Sequence, residues 1–183
     1  MRVIAGKCRR TNLVTPKGDR TRPTTDRIKE TLFNMLQRDI IDCRFLDLFS
    51  GSGAIAIEAL SRGAAYAVMV ENDSEALRCI RENIKKTSLQ DSCEVMATDV
   101  MQALRKLNDI SKSFDIIFMD PPYRHDFERE VVEYLLSSKL VKSGTLIVVE
   151  TSLDTDVSYM NDFSCQVEKI KDYKTNRHVF LRV

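Results

Sequence analysis

From Phe45 to Glu150, short apolar runs alternate with amphipathic stretches. That alternation constrains the fold more than any other feature. The predicted strands are 45–49, 67–71, 93–97, 114–119 and 144–150. The predicted helices are 54–62, 73–87, 99–107 and 126–137. Strands that alternate with helices build βαβ units, and these pack as an open, mostly parallel sheet. The tail, Cys165–Lys171 and Arg177–Val183, reads as a closing antiparallel hairpin at the sheet edge. Ahead of the alternation, Arg2–Ala5 and Asn12–Val14 are expected to pair as a small hairpin. A helix 26–36, capped by Thr24 or Thr25, carries the apolar stripe Ile28, Leu32, Phe33, Met35 and Leu36.

In such sheets, ligands bind beyond the carboxyl ends of the strands, where strand order reverses. Asp47, Gly51, Glu71, Asp99 and Asp120 all fall at or just past those ends. The first strand runs into Ser50-Gly51-Ser52-Gly53 and then a helix. In that arrangement backbone N–H groups and a helix N-terminus can approach a ligand closely. Glu71 closes the next strand 18 residues after Gly53. An acid at that place commonly accepts hydrogen bonds from ribose hydroxyls.

The pattern predicts a nucleoside-containing cofactor. Gly51-x-Gly53-x-x-Ala56 formally satisfies a dinucleotide fingerprint. Asp47 argues against NAD, because pyrophosphate beside a carboxylate would be repelled, whereas a cationic amine would be held. S-adenosylmethionine fits better, since it carries an ammonium, a ribose and an adenine but no phosphate. Its expected contacts are Asp47, Ser50, Gly51, Gly53, Glu71 with Asn72, and Asp99 with Val100. Asp99 is read equally well as a helix cap and as an adenine contact, and one residue can do both.

The fourth strand ends in Asp120-Pro121-Pro122-Tyr123. Two prolines force a rigid, extended exit from the sheet. The turn fixes a carboxylate, a proline carbonyl and an aromatic ring together. Two acceptors suit the two N–H donors of an exocyclic amine, and a ring can stack on the base that bears it. The alternative is an ordinary strand-ending turn. His125 is read as a loop histidine, and His178 is given no role.

Composition supplies the boundaries. The length of 183 residues predicts one domain, with 1–37 as a basic extension of the domain 38–183. Five widely spaced cysteines without a Cys-x-x-Cys pair argue against zinc and disulfides, and for a reducing cytoplasm. No metal is expected. No apolar run approaches a membrane span, and the basic amino terminus lacks the apolar region of a signal peptide. Residues 1–37 carry a net charge of +6 and the remainder −5. A basic arm on an acidic body is the pattern of a phosphate-backbone contact. Lys7, Arg9, Arg10, Arg20, Arg22 and Arg124 are its candidate residues. Arg22 with Thr24 is read alternatively as a cover for the cofactor's methionine end.

Asp47-Leu48-Phe49-Ser50-Gly51-Ser52-Gly53, Glu71 and Asp120-Pro121-Pro122-Tyr123 resemble the class I S-adenosylmethionine-dependent methyltransferases that modify exocyclic amines. Met1–Lys7 and Arg22–Asn34 are similar to the signature of the RsmD family, bacterial guanine-N2 methyltransferases of 16S ribosomal RNA. The resemblance implies a Rossmann-like fold and a 16S rRNA substrate within the small subunit. It also implies transfer to a guanine N2 through Asp120, Pro121, Pro122 and Tyr123, in a cytoplasmic protein expected to be monomeric. The family often carries Trp where this chain has Cys8. Rival expectations are an amino-methyltransferase of DNA adenine or another RNA, a cofactor-binding RNA chaperone, and an NAD-dependent oxidoreductase.

Overall fold

The computed structural model of the chain describes residues 1–16, 26–121 and 127–183. Seven strands form one sheet: β1 (Arg44–Asp47), β2 (Tyr66–Glu71), β3 (Cys93–Ala97), β4 (Ile116–Met119), β5 (Leu146–Thr151), β6 (Gln166–Asp172) and β7 (Arg177–Arg182). Their order is β3-β2-β1-β4-β5-β7-β6. The first five strands run parallel and β7 is antiparallel to both β5 and β6. The order reverses between β1 and β4, which places the ligand-binding crevice between them. The tail forms the predicted hairpin, with β7 inserted beside β5 and β6 left at the edge. The expected Rossmann-like sheet with an antiparallel tail is therefore the observed fold.

Among the described residues, five α-helices cover the sheet: α1 (Asp26–Met35), α2 (Ala54–Ser61), α3 (Ser74–Thr87), α4 (Val100–Asp109) and α5 (Phe127–Leu136). The central strands are buried on both faces, as their unbroken Val, Ile, Leu and Phe runs require. Alternation sorts their side chains. Phe45, Met69, Phe118, Val148 and Phe180 lie in one core cluster with α1, α2 and the amino-terminal arm. Leu46, Val70, Met119, Val149 and Val179 lie in the other, with α4 and α5. All eight residues of α2 are buried, so this helix is apolar nearly all round. On α1, Leu32 and Phe33 are fully enclosed, and each such side chain contributes roughly 1.5–3 kcal/mol.

Two expectations need correction. Residues 45–49 and 114–119 are not strand throughout. β1 ends at Asp47, because Ser50 N–H turns to Val70 O, and Phe114 N–H goes to Leu140 O ahead of β4. The two amino-terminal segments do pair, but only through the Arg2–Asn12 bridge, with Val3 N–H donating to Thr11 O and Leu13 N–H to Met1 O. Other donors of the arm go to side chains. Ile4 and Ala5 N–H donate to Glu58, Cys8 N–H to Ser61 Oγ, and Val14 N–H to Asn83 Oδ1. The expected caps Thr24 and Thr25 lie outside the described residues.

Candidate active site

The strand alternation that builds the core also aims the acids. Two residues beyond Phe45, Met69 and Phe118 on the same face come Asp47, Glu71 and Asp120. β1 lies between β2 and β4, so the three carboxylates stand on adjacent strand ends of one rim.

Asp47 is 1% exposed, and neither carboxylate oxygen has a hydrogen-bond partner among the described residues. Burial pushes its carboxyl up to about 7, against the pull of the nearby Ala56 N–H and Ser50 hydroxyl. Neither of those donors reaches bonding geometry on the carboxylate; Ser50 Oγ donates to the Asp47 carbonyl at 3.0 Å instead. A buried acid left without partners costs free energy, and such groups concentrate at functional sites. Beside it the glycine turn is built on left-handed backbone, with φ of 52° at Gly51 and 77° at Gly53. A Cβ at Gly51 would meet nothing within 4 Å, so the backbone there borders open space. At Gly53 a Cβ would press on Met69 Sδ at 3.2 Å, so this glycine is needed for packing.

Glu71 is already engaged. Its Oε2 accepts from Gly51 N–H at 2.8 Å, and its Oε1 from Asn72 and Asp73 N–H. It thereby ties the glycine turn to the end of β2, and Oε2 retains a lone pair for a further donor. Asp99 caps α4 by accepting Gln102 N–H at 2.9 Å through Oδ1. Its cap reading holds, and Oδ2 makes no part of that bond. Asn72 is exposed and Val100 is buried at the start of α4.

Asp120 is half-buried just past β4, followed by buried Pro121. Its carboxyl is held well above the ordinary range by burial first, then by the Glu150 and Asp47 carboxylates. Pro122, Tyr123, Arg124 and His125 lie outside the described residues, as do Arg20 and Arg22. Lys7, Arg9 and Arg10 are exposed on a turn that sits against Ser61, where Lys7 N–H donates to Ser61 O. That is the opposite end of α2 from the glycine turn. Gly6 is required there, since a Cβ would lie 1.8 Å from the Ser61 carbonyl oxygen. The arm then returns to the rim, where the Asn83 amide joins Val14 O and Ser52 O.

Three groups escaped the sequence reading. Asn83 is a fully buried amide bridging the arm and the glycine turn. Lys29, 0% exposed, donates to Arg2 O at 2.6 Å and pairs with Glu58 at 3.4 Å. Glu150, next to last in β5, is bonded by Asn176 and His178. Glu150 alone left a usable signal, because it is an acid at the end of an apolar run, as Glu71 is in β2. Among the described residues, no group of three His, Cys, Asp or Glu is arranged to hold a metal ion, and no helix is long and apolar enough to cross a membrane.

A family model described as conserved hypothetical protein 95 matches residues 1–181. Ribosomal RNA small subunit methyltransferase D of Escherichia coli K12 is 35% identical over 154 residues, 84% of this chain and 76% of that protein. The protein of the same name from Haemophilus influenzae is 31% identical over 170 residues, 92% of this chain and 88% of its own. Among solved structures, a hypothetical protein of Thermus thermophilus superposes with a TM-score of 0.85 at 32% identity, covering 100% of this chain and 99% of that one. With the strand order, the glycine turn and the acid-lined rim, these likenesses show that the chain belongs to the conserved hypothetical protein 95 family, the RsmD family of class I methyltransferases.

Proposed function

We propose that this protein transfers a methyl group from S-adenosylmethionine to the N2 amine of a guanine in 16S rRNA of the small ribosomal subunit. Asp47 is the observation that carries this reading. A buried carboxylate whose oxygens find no partner among the described residues, beside an open glycine backbone, matches a cofactor that brings an ammonium and no phosphate. A dinucleotide would set its pyrophosphate against that same carboxylate. The relatives named as ribosomal RNA small subunit methyltransferase D supply the support for the RNA substrate.

The residues fit the cofactor as follows. Asp47 receives the ammonium. Ser50, Gly51 and Gly53 shape the turn it rests on. Glu71, beside Asn72, takes ribose hydroxyls with its remaining lone pair, and Asp99, beside Val100, takes the adenine amine. When bound, S-adenosylmethionine supplies a methyl group on a sulfonium that needs no further activation. A cation beside Asp47 also cancels one of the two neighbouring charges that raise Asp120. Cofactor binding thereby favours the ionised Asp120, the form that accepts hydrogen bonds.

Asp120 and the Pro121 carbonyl accept the two N2 hydrogens. This turns the nitrogen lone pair out of conjugation with the ring and toward the methyl group. The N–CH3 bond forms as the S–CH3 bond breaks and its electron pair stays on sulfur, and one N2 proton passes to Asp120 and on to solvent. Most of the rate gain is positioning, with Asp120 stabilising the positive charge that develops on nitrogen. Pro122 keeps the turn rigid, and Tyr123 stacks on the base for roughly 1–3 kcal/mol. Lys7, Arg9 and Arg10, with Arg20, Arg22 and Arg124, contact phosphates. Replacing Arg9 and Arg10 together by Ala flattens the salt dependence of RNA binding; an unchanged slope excludes the turn.

The test is methyl transfer from labelled S-adenosylmethionine to small subunits purified from cells that lack the protein, followed by nuclease digestion and chromatography. Label in N2-methylguanosine is the expected product. Label in another nucleoside, or none, overturns the reading.

A further inference from the structure

Glu150 is a buried rim carboxylate that the chemistry above leaves unused. Val148 lies in the same core cluster as Phe118, so two residues on, Glu150 shares the face of Asp120. The register pairs Met119 with Val149, which makes Asp120 and Glu150 the next step along neighbouring strands. Such strands lie about 4.8 Å apart. The side chain is held in place rather than free. Oε1 accepts from Asn176 Nδ2, and Oε2 bonds His178 Nε2 at 2.9 Å. His178 faces Glu150 across the β5–β7 ladder and is 0% exposed, packed edge-on against Phe118 and Tyr173. Each carboxylate oxygen still has a second lone pair. The surroundings also hold spare bonding capacity: the Tyr173 hydroxyl and Asn176 Oδ1 are buried with no partner among the described residues.

A second fixed acceptor beside Asp120 selects for a particular base edge. Guanine presents N1–H and N2–H side by side, two donors in a row. Adenine and 2-aminopurine present a bare N1 lone pair beside their amine. A carboxylate welcomes the first edge and repels the second.

We propose that Glu150 is the specificity-determining residue for guanine, accepting its N1–H while Asp120 and the Pro121 carbonyl hold the N2 hydrogens. The inference rests on the guanine-N2 reading and adds the residue that enforces it. Asn176 and His178 act through Glu150 as positioning residues.

The test uses the full chain and small subunits reconstituted with 16S rRNA carrying either guanine or 2-aminopurine at the mapped methylation position. Both bases offer the N2 amine, and they differ at N1 and O6. The wild-type protein is expected to methylate guanine roughly tenfold to a hundredfold faster, the discrimination of one charged hydrogen bond lost. Glu150→Gln is expected to shrink or invert that ratio, because the Gln amide can donate to a bare N1. Equal wild-type rates on the two bases overturn the role of Glu150, whether or not the variant folds, and leave the guanine-N2 reading standing. A variant that slows both substrates in the same proportion also overturns it, since a purely structural role would do that. Absence of wild-type transfer to guanine overturns the underlying reading, and the inference with it.

Discussion

The two ends of α2 both meet buried charge, and they treat it oppositely. At the carboxyl end, Glu58 is fully enclosed but receives Ile4 N–H, Ala5 N–H and Arg62 Nε, with the Lys29 ammonium at 3.4 Å. At the amino end, Asp47 is equally enclosed and receives nothing from the described residues. Desolvation lowers the Lys29 pKa, and Glu58 works against that shift; among the described residues no opposite charge does the same for Asp47. A satisfied buried charge is a structural joint, here the clasp that holds the arm to the body. An unsatisfied one at a strand end is, on the proposed reading, where the cofactor's ammonium binds.

The largest expected effect is at the satisfied end. Glu58→Leu strands the Lys29 ammonium and three donors, and should cost about 3–5 kcal/mol, read from a denaturant midpoint. A loss under about 1 kcal/mol would erase the distinction between the two ends.

Asp47→Asn should behave differently. The folded chain keeps the Asp47 proton up to about 7, and the unfolded chain gives it up near 3.8. Across that window the folded state binds more protons, so wild-type stability falls as pH rises from about 4 to about 7. The variant lacks that fall. At pH 8 it should be the more stable of the two, by on the order of 2–4 kcal/mol, while its cofactor affinity drops at least about tenfold. Parallel pH profiles for wild type and variant would show that Asp47 is an ordinary core residue.

A smaller effect tests the link between the regions. Asn83→Ala removes the bridge from Val14 to Ser52 and should cost roughly 1–3 kcal/mol. It should also loosen the arm selectively, visible as faster amide exchange at Val14. Unchanged exchange there would mean that the arm is held by Glu58 and Ser61 alone.

These contrasts also explain what was legible in the chain. The parallel strands and their helices stood out because short unbroken apolar runs and amphipathic stretches are local signals, and the rim followed from strand ends alone. Asp47, Glu71 and Asp120 were found because a single acid interrupting or closing an apolar strand is conspicuous. The engagement of Glu71 with Gly51, Asn72 and Asp73 was not readable, because the same acid serves a ribose or a backbone equally well. The amino-terminal hairpin misled for a similar reason. Val3 and Leu13 N–H donate across it, but the donors of Ile4, Ala5, Cys8 and Val14 are taken by Glu58, Ser61 and Asn83, which lie 53 to 69 residues away in sequence. No local pattern announces partners at that distance. Lys29 carries no local signal of burial, and only the fold shows it enclosed.

The most direct test of the account sets the acceptor acid against the cofactor acid. Asp120→Ala should bind S-adenosylmethionine, measured by titration calorimetry, within about threefold of wild type, while methyl transfer to small subunits falls at least about a thousandfold. Retained transfer, or loss of cofactor binding together with transfer, would contradict the division of the rim into a cofactor side at Asp47 and an acceptor side at Asp120.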